Sequence, residues 1–304
     1  MKVAAIDIGT NSTRLLIVDY KNGTYTVLDR DLIISRLGEG VDKNKYLNDK
    51  AIERTVTALE KYDKKIKKYN VKKVKIVGTS ALRDVKNKND FINLLKKRTS
   101  FKINIISGNQ EAKYIYKGVK TDIKSNDFLI VDIGGGSTEF IWKNQKEIVE
   151  KSLDIGAVRL TERIVEDSKK ALSNKEQKKL QKEINQALNK ENINKYKAKK
   201  LIGVGGTITT LAAMNLGLEK YDSGKIHQYL LLKEDIEQLF NKLSKSNISE
   251  RKNMKGLHES RADIITAGAI ILELIMEIVD INKITVSERD ILYGLINEAI
   301  EETL

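Results

Sequence analysis

Apolar positions along this chain follow two rhythms. Largely apolar runs at 2–8, 14–19, 74–77, 103–106, 128–133, 201–204 and 284–287 predict β-strands, several of them buried on both faces, and the more polar stretch 146–153 is expected as a further strand. Asn22-Gly23 is a hairpin-turn signal, and two further short strands, 25–28 and 32–34, are expected after it. Between the strands the apolar spacing changes to that of helices. Asn48 can cap a helix carrying Ile52, Val56, Leu59 and Ile66 on one face. A short helix is expected at 91–97, and another from Ser107 through Tyr114, Ile115 and Val119. Residues 169–192 read as a polar, peripheral helix, 208–214 as a short helix after a glycine loop, and 265–279 as a core helix. In 291–303 Leu292, Leu295, Ile296 and Ile300 share one side, so this last helix is expected to pack back across the first domain. Strands alternating with helices predict an α/β protein.

The pattern is organised around Ile130-Val131-Asp132-Ile133-Gly134-Gly135-Gly136-Ser137-Thr138-Glu139. A buried strand ends in an acid and three glycines, whose N–H groups can converge on an anion because no Cβ blocks its approach. Asp132 and Glu139 could share a hard cation such as Mg²⁺. The same order of residue types occurs at Ile6-Asp7-Ile8-Gly9-Thr10-Asn11-Ser12-Thr13, and Asp132 follows Asp7 by 125 residues. This echo predicts two similar domains with boundaries at 1–124 and 125–287, the first joined by the last helix, about 288–304. Anions would bind in the cleft between the domains. A third glycine loop, Gly203-Val204-Gly205-Gly206-Thr207, leads into a helix and also suits an anion. It has no Gly-Lys-Ser/Thr, and Ile208 replaces the last glycine of a dinucleotide fingerprint.

Other side chains lie where such a site could use them. Arg14 follows the first loop closely enough to reach a phosphate, and Arg83 follows the strand 74–77. Glu111 falls in the first turn of its helix, where it either complements the helix dipole or orients a water molecule. Arg261 and Asp263 open the long apolar helix. His227 and His258, the two histidines, are expected to be structural, and no cysteine is present for thiol chemistry.

The 304 residues suit two domains, and 40% hydrophobic with 32% charged residues describes a globular chain. No apolar run approaches a membrane span, and an acid at position 7 interrupts any secretory core, so a cytoplasmic location is expected. The net charge of +13 suits a polyanionic partner. Much of it lies in Lys-rich stretches, 61–73 and 169–200, that read first as solvated helix faces and second as a positive field steering a polyanion.

Asp-Ile-Gly-Thr-Asn-Ser at 7–12, Gly-Thr-Ser-Ala-Leu-Arg at 78–83, Ser-Gly-Asn-Gln-Glu-Ala at 107–112, Asp-Ile-Gly-Gly-Gly-Ser-Thr-Glu at 132–139, Gly-Val-Gly-Gly-Thr at 203–207, Arg261-Ala262-Asp263-Ile264 and Val286-Ser287 together resemble the exopolyphosphatase / guanosine pentaphosphate phosphohydrolase (Ppx/GppA) family. The resemblance implies two ribonuclease-H-like domains of the actin-like ATPase type with an interdomain active-site cleft. It implies Mg²⁺-dependent removal of a terminal phosphate from inorganic polyphosphate or from guanosine pentaphosphate, with no specific nucleic acid as partner, and a homodimer. By the same resemblance Glu111 positions the attacking water and Arg83 clamps phosphate. Asp132 and Glu139, with Asp7 nearby, hold metal. Thr10, Asn11, Ser12, Gly134, Gly135, Gly136, Ser137, Thr138, Gly205, Gly206 and Thr207 bind phosphate, with Arg14 and Arg261 on the rest of the polyanion. Three positions depart from the family pattern: Gln110 replaces a Glu, Asp290 a Gly and Leu292 an Arg. The chain matches the short two-domain form. A kinase of the same fold, or a non-catalytic sensor of polyphosphate or guanosine tetraphosphate, remains an alternative.

Overall fold

The computed structural model describes residues 1–303 except Asp84, Asn126, Lys146 and Lys197. The expected start of the strand 146–153, and Asn126 near the expected domain boundary, therefore lie outside the described residues. The chain divides into two compact units, Met1–Asp122 with Arg289–Leu304, and Ile123–Glu288.

The first unit is built on the antiparallel strands β1 (Lys2–Ile8), β2 (Thr13–Lys21) and β3 (Thr24–Ile33). After the helices α1 (Val41–Asn44) and α2 (Asp49–Lys68) come β4 (Lys73–Gly78), α3 (Ser80–Arg83), α4 (Lys88–Arg98), β5 (Asn104–Ile105) and α5 (Gly108–Lys120). β4 lies parallel to β1, and β5 parallel to β4, giving the order β3-β2-β1-β4-β5. Central β1 is buried on both faces, as its unbroken apolar run requires. Ile52, Val56 and Leu59 of α2 pack on it with Phe91 and Leu95 of α4. α2 begins where Asn48 accepts from the Ala51 N–H at 2.7 Å.

Two strands were expected at 25–28 and 32–34, but β3 is one strand running through Asp29-Arg30-Asp31. These polar residues are compatible with an edge strand, and Lys65 of α2 bridges Asp29 and Asp31 at 3.2 and 2.6 Å. In the same Lys-rich stretch Lys67 pairs with Asp63, and Lys73 with Glu302, so part of its charge is locally neutralised.

The chain re-enters the first unit with α13 (Ile291–Glu301), which packs against α5 and β1. Two glycines permit this approach. A Cβ on Gly118 would strike the Asp290 carbonyl oxygen, and one on Gly294 would strike that of Tyr114.

The second unit repeats the plan. β6 (Leu129–Ile133), β7 (Thr138–Asn144) and β8 (Glu147–Leu153) pair antiparallel in turn, while β9 (Leu201–Val204) lies parallel to β6 and β11 (Lys283–Val286) parallel to β9. β10 (Leu230–Leu232) forms an extra edge, so the order is β10-β11-β9-β6-β7-β8. Read backwards, this is the order of the first sheet plus one strand. Two mixed sheets of this shared topology give the ribonuclease-H-like α/β class expected above. The helices are α6 (Ala157–Ile164), α7 (Asn174–Lys190), α8 (Gly205–Asn215), α9 (Ser223–Ile226), α10 (Lys233–Lys245), α11 (Ile248–Lys252) and α12 (Ile265–Ile278).

α7 is not simply peripheral. Its Leu180, Ile184 and Leu188 recur every fourth residue and are fully buried in the core that α12 fills. Its start is fixed by a capping box between Ser173 and Glu176. α10 has a similar stripe, Ile236, Phe240 and Leu243, that the sequence reading leaves unassigned. Buried Arg251 of α11 ties these loops together, donating to the carbonyls of Ser168, Lys170 and Ala262 at 2.6, 2.8 and 2.9 Å. Among the described residues no helix is long and apolar enough to cross a membrane.

Candidate active site

In the first unit β1 and β2 are joined by a turn in which the Gly9 N–H donates to the Ser12 carbonyl at 3.0 Å. Residues 36–38 pin this turn, since the Arg36 and Gly38 N–H groups bond the Asn11 and Thr10 carbonyls at 2.9 Å each. In a trans peptide N–H and C=O point opposite ways, so the Asn11 and Ser12 N–H groups are turned away from that segment. Thr10 Oγ1 meets Ser80 Oγ at 2.8 Å, which brings the turn against α3. Asn11 is 7% exposed, and its Nδ2 has no hydrogen-bond partner. A buried amide left in that state lacks an acceptor that a ligand oxygen would supply.

Asp7, at the end of β1, sits directly across the hairpin from Arg14. Arg14 donates to Asp7 Oδ2 from Nε at 3.0 Å and from Nη2 at 2.6 Å, while its Nη1 donates to Asp290 Oδ2. The expected phosphate contact thus spans two carboxylates. Burial pushes the Asp7 carboxyl up, against the opposing pull of Arg14, and Asp7 Oδ1 is unpartnered. Asp290 also caps α13, its Oδ1 accepting from the Leu292 N–H at 3.0 Å.

Arg83 ends α3 and Glu111 opens α5, and the structure joins them. Arg83 Nη1 donates to Glu111 Oε2 at 2.6 Å and to the Ile106 carbonyl at 3.2 Å. Gln110 is engaged at the start of α5, where its Oε1 accepts from the Ser107 N–H at 3.0 Å, while Ser107 Oγ accepts from the Gln110 N–H. A glutamine completes this capping box as well as a glutamate does.

The second unit builds the same turn, with the Gly134 N–H on the Ser137 carbonyl at 3.0 Å. The first turn of α6 takes up the loop carbonyls: Ala157 donates to Gly134, and Val158 and Arg159 to Gly135, at 2.9–3.0 Å. Arg159 Nε donates to the Gly136 carbonyl at 2.6 Å. Gly156 permits this contact, because a Cβ there would overlap the Gly135 and Gly136 backbone. By the same peptide geometry the N–H groups of Gly135, Gly136 and Ser137 point away from α6, as an anion-binding turn requires. Thr138 is buried and donates to the Ile155 carbonyl at 2.5 Å, so its hydroxyl is engaged in the fold.

Asp132 lies across the hairpin from Glu139, which puts two carboxylates on one face. Glu139 is 3% exposed, and its Oε1 accepts from Ser152 Oγ at 3.1 Å. The third loop joins this group. Gly205 has φ +85°, and a Cβ there would strike Asp132 Oδ1, so the backbone approaches the acid closely. Gly206 abuts the Arg261 guanidinium, and the Thr207 methyl packs on Gly268. Asp132, Glu139, Gly205, Gly206 and Arg261 therefore line one region of the second unit.

Both histidines serve local structure. His227 Nδ1 accepts from the Glu288 N–H at 3.2 Å, and His258 Nδ1 accepts from the Ser260 N–H at 3.3 Å. Sequence reading did not anticipate the parts played by Asp290, Ser152 and Arg159. Only Asp290 carried a signal, as a departure from the family pattern.

Among the described residues no group of three or more His, Cys, Asp or Glu side chains could hold a metal ion. Two adjacent carboxylates still fit a cation such as Mg²⁺, which is held by one or two carboxylates with water and substrate phosphates completing its shell.

A family model described as the Ppx/GppA phosphatase family matches residues 16–302. The chain is 41% identical, over 98% of its length, to a bifunctional 3-dehydroquinate synthase/phosphatase of Fusobacterium nucleatum, of which it spans 46%. It is 33% identical to exopolyphosphatase 2 of Mycobacterium tuberculosis, covering 97% of both chains. Among solved structures, an exopolyphosphatase from Cytophaga hutchinsonii superposes with a TM-score of 0.91 at 30% identity, covering 99% of this chain and 98% of that one. The Aquifex aeolicus member of the Ppx/GppA family gives a TM-score of 0.82 at 31% identity, covering 100% and 99%.

Proposed function

Because the chain belongs to the Ppx/GppA phosphatase family, we propose that it is an exopolyphosphatase that hydrolyses the terminal phosphate of inorganic polyphosphate. One observation carries this reading: Asp132 and Glu139 face each other across a glycine turn whose N–H groups are directed outward. That combination suits a phosphate oxygen and a divalent cation side by side.

In this reaction the oxygen of a water molecule bonds to the terminal phosphorus, and the bridging oxygen departs with its electron pair on the shortened chain. Protein groups supply placement and charge rather than covalent chemistry. Glu111 orients the water and takes its proton, and the ion pair with Arg83 holds the carboxylate in place. The loop N–H groups at 11–12 and 135–137, the Asn11 amide, and the loop 205–207 bind phosphate oxygens. Arg261, against Gly206, adds positive charge beside them. Mg²⁺, held by Asp132 and Glu139, would offset charge on the phosphate oxygens.

The test is phosphate release from long polyphosphate, short polyphosphate and guanosine pentaphosphate by the wild-type chain and by Glu111→Gln. Release from polyphosphate is expected to fall by about 10²–10⁴-fold in the variant, with polyphosphate binding retained. Undiminished turnover would remove Glu111 from the mechanism. Preferential release from guanosine pentaphosphate would transfer the assignment to that substrate.

A further inference from the structure

The two hairpins pair their strands in the same register at the 125-residue offset, and they differ in the residue that faces the strand-end acid. Gly9 and Gly134 open equivalent turns, and Thr13 and Thr138 begin equivalent strands. Opposite the strand-end acid, however, the second unit has Glu139 where the first has Arg14. The second hairpin therefore presents two carboxylates on one face. In the first, the acid is already matched by a guanidinium that contacts Asp7 Oδ2 through two nitrogens.

Arg14 is itself held in place. Its Nη1 donates to Asp290, which α13 brings back to this hairpin and whose other oxygen caps that helix. A planar guanidinium can serve two carboxylates at once, which an ammonium cannot do with the same geometry. A divalent ion approaching Asp7 would meet this fixed positive charge, and at the partly buried site the repulsion is only weakly screened.

We propose that Arg14 is a built-in counter-cation which takes, at Asp7, the place a divalent ion takes at Asp132 and Glu139. The chain then binds one divalent ion at its second-unit hairpin. Arg14, fixed by Asp290, is a positioning residue for Asp7, whose unpartnered Oδ1 accepts from a bound water or a protonated phosphate oxygen. This replaces the expectation that Asp7 ligates metal and that Arg14 binds the polyanion. It rests on the functional reading above only in taking the ion of the reaction to be divalent.

Mn²⁺ is the probe, counted on the full chain by equilibrium dialysis and by its electron paramagnetic resonance signal. The wild type is expected to bind one ion. Asp132→Asn should weaken binding at least about tenfold. Asp7→Asn should change it less than about threefold, as expected for an independent site. Arg14→Glu combined with Asp290→Asn restores a carboxylate pair in the first hairpin and keeps a helix cap, so a second ion should appear. Adding Asp7→Asn to that background should remove it. Two ions on the wild type, or loss of its ion in Asp7→Asn, would overturn the proposal. Those two measurements decide it even if the double variant does not fold, as circular dichroism would show. A wild type that binds one ion at Asp132 and Glu139 yet releases no phosphate would overturn the functional reading and leave this inference standing.

Discussion

Replacing Gly294 by alanine sets two effects of opposite sign against each other. In an exposed helix interior the change would stabilise by about 1 kcal/mol, the difference in helix propensity. Gly294, however, lies in α13 where that helix crosses α5. An added Cβ would strike the Tyr114 carbonyl oxygen and lie 2.6 and 2.8 Å from that residue's carbonyl carbon and Cα. All three atoms are helix backbone, so no side chain can swing aside. The helices must separate, and Tyr293, Leu295 and Ile296, all at most 5% exposed, lose packing with them. Overpacking of this kind costs about 1–3 kcal/mol. The collision with rigid backbone places it near the upper end, so the net change is a loss of about 1–2 kcal/mol. In a urea melt followed by far-ultraviolet circular dichroism, the midpoint should fall by about 0.5 M for an m-value of about 3 kcal/mol/M. A midpoint that rises would mean that propensity governs and that the close crossing is wrong.

Two further predictions concern the second unit. Glu273 is partly buried in α12 with Oε2 unpartnered, and burial together with Glu237 and Glu277 raises its carboxyl from 4.5 to about 6. The folded chain holds this proton more tightly than the unfolded one, so the stability it contributes is full below pH 4.5 and is lost as pH rises through 6. Discounted for solvent screening, Glu273→Gln should be more stable than wild type by about 1 kcal/mol at pH 8, converging near pH 4.5, and a pH-independent difference in thermal melts would refute this. Arg251→Ala strands the carbonyls of Ser168, Lys170 and Ala262 and should destabilise by about 3 kcal/mol in thermal denaturation, whereas a loss below about 1 kcal/mol would mean that water replaces the guanidinium.

Local chemistry made much of this molecule legible in the sequence. Continuous apolar runs gave away β1, β6 and β9, and the glycines after them marked turns whose geometry leaves little choice of residue. The loop at 7–13 could be matched to that at 132–138 by residue type alone. What stayed hidden depends on contacts between distant parts of the chain. Arg14 and Asp290 are 276 residues apart, and nothing near Arg14 indicates that a returning helix will supply its second carboxylate. Arg83 and Glu111, 28 residues apart, each read as a separate candidate, although they form one ion pair. The polar surroundings of Leu180, Ile184 and Leu188 likewise masked a buried stripe that a count at every fourth residue would have exposed. The polar run Asp29-Arg30-Asp31 interrupts the apolar pattern of β3, and nothing near it in the chain indicates that Lys65 will pair with both acids.

The route of the backbone dictates an order of assembly during synthesis. The second unit is an uninterrupted stretch and can close once residue 288 has left the ribosome. The other unit begins earlier, yet its β1 stays without α13, and Arg14 without Asp290, until α13 emerges. The unit that starts first along the chain is thus completed by residues made after the second unit, unlike the usual progression in which the domain made first folds first.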